Sequence, residues 1–80
     1  MSTFAEIQAM LTSKFDVKPE LIQPDAKLVD LGLDSLSIAE LIFDIGEKYD
    51  IEIPEDDLEF QTPLKDAVAL VDKLRAAKAA

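Results

Sequence analysis

The chain has 80 residues, a net charge of −9, and neither cysteine nor histidine. One small core in one domain is expected at this length, while disulfides, a thiolate nucleophile, an imidazole base and nearly every zinc or transition-metal site are excluded. The acidity is concentrated between Asp30 and Glu59, where eleven carboxylates face one base, Lys48, and the remainder nets +1; such a block repels nucleic acid and anionic membranes and suits protein partners with basic patches. The first helix is expected from Thr3 to Phe15, with Thr3 and Glu6 at capping-box spacing and Phe4, Ile7, Leu11 and Phe15 on one apolar stripe edged by Met10. From Asp16 to Asp34, Pro19 and Pro24 interrupt any regular element, leaving one turn at Pro19–Ile22 and Leu28 and Leu31 as tethers to the core. A loop this long in a small domain calls for a function.

A second helix is expected from Ser35 to about Tyr49. Asp34 is its N-cap, Ser35 its first residue with the hydroxyl in solvent, and Gly32 lets the chain turn closely before the cap. Ile38, Leu41, Ile42, Ile45 and Tyr49 share one face; Ser37, Glu40, Asp44 and Glu47 share the opposite one, with Leu36 and Phe43 on its flank. Charge that steers and apolar anchors that hold are what a transient docking surface needs, so these six residues beside Ser35 are the expected partner face. Ile51 to Pro54 reads as an extended crossover and Glu55 to Glu59 as a short third helix. The acids from Asp50 to Glu59 lack the glycine and ligand spacing of a calcium loop, and no metal site is expected. Thr62 as N-cap and Pro63 at the first position open a last helix that buries Leu64, Ala67, Val68, Val71 and Leu74 and ends among Lys73, Arg75 and Lys78. The expected fold is all-α, a small four-helix bundle with a long first loop and a short third helix.

Leu31-Gly32-Leu33-Asp34-Ser35-Leu36, with Glu52-Ile53-Pro54 downstream, resembles the signature of acyl carrier proteins of the discrete, separate-subunit type, and the likeness spans nearly the whole chain. The resemblance implies that Ser35 bears a 4′-phosphopantetheine arm taken from coenzyme A by a phosphopantetheinyl transferase, and that the thiol of the arm holds acyl intermediates as thioesters. It implies no catalysis by the chain itself, which would deliver cargo to ketosynthases and other acyl-processing enzymes of fatty-acid or polyketide-type biosynthesis. A helix N-terminus suits the charge of the phosphodiester. A cytoplasmic monomer without membrane insertion is expected, since no basic-then-apolar leader and no spanning apolar run is present. Leu41, Ile45, Ile53 and Leu58 converge by periodicity and are the expected acyl pocket, with Gly46 letting the helix adjust.

Three positions depart from the primary fatty-acid pattern: Ser37, where an acid is usual, Gly46 inside the second helix, and Phe60-Gln61 in place of an aliphatic residue. They favour a specialised carrier, for a polyketide, aryl-polyene or modified-lipid pathway. The competing readings are a peptidyl or aminoacyl carrier using the same serine, and an unmodified acidic adaptor. Serine hydrolysis is disfavoured because no histidine is available as base.

Overall fold

A computed structural model describes residues 2–79. It contains three α-helices, α1 (Thr3–Lys14), α2 (Ser35–Tyr49) and α3 (Leu64–Ala79), and three single 3-10 turns at Pro19–Leu21, Leu28–Leu31 and Glu55–Asp57. Helix α1 packs on α3. No strand occurs among the described residues, only an isolated antiparallel bridge between Lys27 and Pro63. The chain is thus all-α, but the short third helix expected from Glu55 to Glu59 is one 3-10 turn, which leaves three α-helices among the described residues. Leu58 causes the stop: its backbone is extended and its side chain is buried, so the chain must leave the helical path to point it inward.

Two expected caps are replaced for identifiable reasons. Ser2, not Thr3, caps α1: its hydroxyl accepts from the Ala5 amide at 3.1 Å. The Thr3 hydroxyl is occupied elsewhere, donating to the Asp72 carboxylate and accepting from Arg75 Nη1 at 3.0 Å. At α3, Thr62 turns its hydroxyl back to accept from the Glu59 amide (3.0 Å), and Pro63 lies outside the helix, its carbonyl accepting from Asp66 and Ala67 (3.0 and 3.1 Å). The first amides of a helix have no partner within it. Here the long loop supplies them, since the Leu64 and Lys65 amides donate to the carbonyls of Ala26 (2.7 Å) and Pro24 (2.9 Å). In return the Leu28 and Val29 amides donate to the carbonyls of Thr62 (3.0 Å) and Phe60 (2.9 Å). Residues 24–29 are thereby clamped along residues 60–65, and Lys65 pairs with Asp25 at 2.9 Å.

The long loop is therefore part of the core. Val17, Ile22, Leu28, Leu31 and Leu33 are all buried within one cluster with Ile7, Leu11, Leu41, Ile45, Leu64 and Val71. Burying a leucine fully contributes about 1.5–3 kcal/mol, and Leu28 is completely enclosed. Phe4, Phe15, Val68 and Leu74 pack only at its margin. At the far end from the loop, the three helices are joined by polar contacts. The Tyr49 phenol donates to Glu6 Oε1 at 2.7 Å, and the Arg75 guanidinium lies 4.3 Å from the centre of its ring. Burial, then the bond to Glu6, pushes the phenol up to about 12, while that same bond holds the Glu6 carboxyl below its ordinary value.

Helix α2 ends where Asp50 adopts a left-handed conformation (φ 55°) and the Asp50 and Ile51 amides both return to the Gly46 carbonyl. This reversal explains Gly46. A Cβ there would sit 2.9 Å from the Ile51 carbonyl oxygen, a backbone atom that cannot swing aside. Alanine would gain about 0.8–1.0 kcal/mol in helix propensity but incur about 1–3 kcal/mol of overpacking. Gly46→Ala is therefore expected to lower the thermal midpoint by several degrees, as roughly 4–8 °C corresponds to 1 kcal/mol at this size. A raised midpoint would show that the close approach costs less than the propensity gain.

Candidate functional site

The site forms where the clamped loop delivers the chain to α2. Gly32 closes the Leu28–Leu31 turn with φ 83°. No atom lies within 4 Å of a Cβ built there, so the need for glycine comes from the left-handed backbone and not from the close packing expected. Leu33, buried, anchors the next step. Asp34 then caps α2: its Oδ1 accepts from the Ser37 amide at 2.8 Å and its carbonyl from the Ile38 amide at 2.9 Å. The Ser37 amide, and after it the Ser37 hydroxyl, hold the Asp34 carboxyl below the usual carboxylate range. Ser35 is the first helical residue and is exposed. The first turn of α2 carries no acid.

Beside Ser35 lies an open groove of about 540 Å³ between α2 and the segment before α3. Ser35, Ile38, Ala39 and Ile42 form one wall; Leu58, Glu59, Phe60 and Gln61 form the other. Of the four residues expected around an acyl chain, Leu58 lines this groove. Ile53 lines an adjoining groove further along α2, and Leu41 and Ile45 are each 1% exposed inside the closed core. Sequence reasoning placed Ile38 and Ile42 on the core-facing side, but the wall opposite them depends on the clamp between residues distant in sequence.

The outer side of α2 is a single stripe. Leu36, Glu40, Phe43 and Glu47 follow one another at helical spacing, and all four are exposed. Leu36 and Phe43 are about two-thirds exposed (67% and 65%) and stand beside Glu40 and Glu47 in this stripe. Asp44 turns away: it is half-buried and lies 3.6 Å from Lys14 Nζ of α1. Ser37 is half-buried against the cap.

The model of the family described as "phosphopantetheine attachment site" matches residues 5–71. Similar proteins include the acyl carrier proteins of Campylobacter jejuni strain RM1221 (34% identical, covering 94% of this chain and 99% of the relative), of a Sulfurovum species (35%, covering 92% and 100%) and of Campylobacter hominis (34%, covering 98% and 100%). The chain belongs to the acyl carrier protein family. Proteins of this family are carriers and not enzymes, and the group they carry is 4′-phosphopantetheine. The site on α2 fits such a group: an exposed hydroxyl stands on the positive end of a helix dipole, and the neighbouring Asp34 carboxylate is engaged by the Ser37 amide. No helix among the described residues is long and apolar enough to cross a membrane.

The cap carries a pH dependence whose sign follows from its lowered carboxyl. Asp34 stabilises the start of α2 at pH values above its unfolded value of about 3.9, and this contribution is lost as pH falls through the lower folded value. Protection of the Ser37 amide, the intrinsic exchange rate divided by the observed rate at the same pH, should therefore fall in acid, and Asp34→Ala should lack that protection already at neutral pH. Asp34→Asn should keep the protection at neutral pH and lose the acid dependence. Unchanged Ser37 exchange in Asp34→Ala would show that the cap does not hold the site.

Proposed function

We propose that Ser35 is the residue that carries the phosphopantetheine arm, and that acyl groups held as thioesters on the arm pass between enzymes that dock on the outer stripe of α2. The observation that carries this reading is the position of Ser35: its hydroxyl is exposed at the capped start of α2 and lines the groove where a tethered chain could lie. When bound, the arm supplies a thiol for thioester exchange. Asp34 holds the first turn in place, and the positive end of the α2 dipole favours the charge of the phosphodiester.

Docking fits the stripe of Leu36, Glu40, Phe43 and Glu47, with Ser37 at its inner edge and Asp44 held back by Lys14. Two apolar anchors alternating with two acids give charge-steered, weak contact with basic patches, as a carrier visiting many enzymes requires. The expected visitors are the phosphopantetheinyl transferase, ketosynthases and other acyl-processing enzymes, met in the cytoplasm by a monomer. Phe60 and Gln61 in the groove wall, with Ser37, favour a specialised pathway over primary fatty-acid synthesis.

Incubation with coenzyme A and a transferase of broad specificity tests both parts. Intact mass should show one arm on the native chain and on Ser37→Ala, and none on Ser35→Ala, whose far-UV circular dichroism should be unchanged because alanine suits a helix. An arm on Ser35→Ala would overturn the assignment; no arm on any form would favour an unmodified adaptor. Loading of the Glu40→Lys, Glu47→Lys double variant should be slower, chiefly in association, with the deficit shrinking as salt rises. Equal rates at low ionic strength would remove the docking role of these acids.

A further inference from the structure

We infer that the groove beside Ser35 selects flat, conjugated acyl groups over saturated ones of the same length, and that Phe60 is the residue that makes the selection. The inference rests on Ser35 being the attachment residue, because the occupant is then a chain tethered at one end of the groove. Three observations support it.

The groove is shallow and open, and the core behind it is closed. Leu41, Ile45, Leu64 and Val71 are 1% exposed or less, so a long alkyl chain could be swallowed only by displacing well-packed side chains. A chain lying in the open groove buries one side alone. A flexible alkyl chain must lose rotamer freedom for that half-burial, whereas a conjugated chain is already rigid and loses little.

The wall opposite Ser35 presents an aromatic residue that is not consumed by the core. Phe60 lines the groove yet is 42% exposed, and its placement is fixed by its backbone, whose carbonyl accepts from the Val29 amide at 2.9 Å. The side chain therefore does not have to pack inward to stay in place. A π-face favours another π-system over an alkyl chain by an increment beyond area alone.

The rim is polar where the chain would leave the apolar floor. Glu59 and Gln61, both exposed, flank Phe60 in the same wall, and an amide can serve a carbonyl or hydroxyl on the cargo as donor or acceptor. An oxygenated, unsaturated chain meets partners there that a fully reduced one cannot use.

Hexanoyl and 2,4-hexadienoyl groups loaded from their coenzyme A thioesters by a broad transferase provide the test. The rate of thioester cleavage by hydroxylamine is measured on the carrier and divided into the rate for the same acyl group on free pantetheine, which removes the difference in intrinsic reactivity. In the native chain, protection of the hexadienoyl group should exceed that of the hexanoyl group by roughly two- to tenfold, the range of an aromatic contact. In Phe60→Leu, which keeps an apolar side chain and removes the ring, this ratio should fall to about one. A ratio near one in the native chain, or one undiminished in Phe60→Leu, would overturn the inference while leaving the attachment reading intact. Failure of either acyl group to add mass at Ser35 would instead overturn the attachment reading and the inference with it.

Discussion

The structure depends on a backbone clamp between the end of the long loop and the entrance of α3. Residues 24–29 and 60–65 exchange four main-chain hydrogen bonds, of which those from Leu64 and Lys65 satisfy the otherwise unpartnered first amides of α3. Each contributes only about 0.5–1.5 kcal/mol net, but their geometry has larger consequences. The clamp ties the end of the long loop to the entrance of α3, so Leu28, Leu31 and Leu33 can enter the core in sequence and deliver Asp34 and Ser35 at a fixed place. It also holds Phe60 and Gln61 opposite α2, creating a groove where two disconnected segments would otherwise have left open solvent.

The two ends of the molecule differ accordingly. At the C-terminal end of α2, Tyr49, Glu6 and Arg75 bind the three helices together through buried or half-buried contacts, and Asp72 and Thr3 extend the set. At the N-terminal end of α2, the wall facing Ser35 consists of one 3-10 turn and an extended stretch, with Leu58 as its buried residue and the clamp at its far end. Segments with few buried contacts open most readily. On the proposed function cargo is accepted, covered and released at one end without loosening the other, and this distribution of contacts suits that. On the same reading the acidic block has a matching role, since weak charge-guided docking would let one small surface serve successive partners.

What could be read in the sequence was what is decided locally. The limits of α2, its Asp34 cap and the buried Ile38, Leu41 and Ile45 follow from periodicity and from a capping residue that acts within its own turn. Leu28 and Leu31 were legible as core tethers, being large apolar residues three apart shortly before the Asp34 cap. The failures all involve a tertiary competitor for a local rule. Thr3 has the right spacing for a cap, but Asp72 and Arg75, about seventy positions away, claim its hydroxyl. Thr62 and Pro63 form a good helix start, yet the loop's carbonyls cap α3 better and leave both residues outside it. Glu55 to Glu59 lacks a helix breaker, and only the need to bury Leu58 stops the turn. The groove was not legible, because no pattern in either segment encodes the clamp that brings its walls together.

The central claim is that the clamp places the arm-bearing residue beside a groove whose far wall is residues 58–61. Amide chemical shifts of the chain with and without the phosphopantetheine arm test it most directly. The account predicts changes along Ser35 to Ile42 and, across the groove, at Leu58, Glu59, Phe60 and Gln61, with Glu6, Tyr49 and Arg75 unaffected. Changes confined to the neighbours of Ser35 in sequence, or strongest at the Tyr49 end, would contradict it.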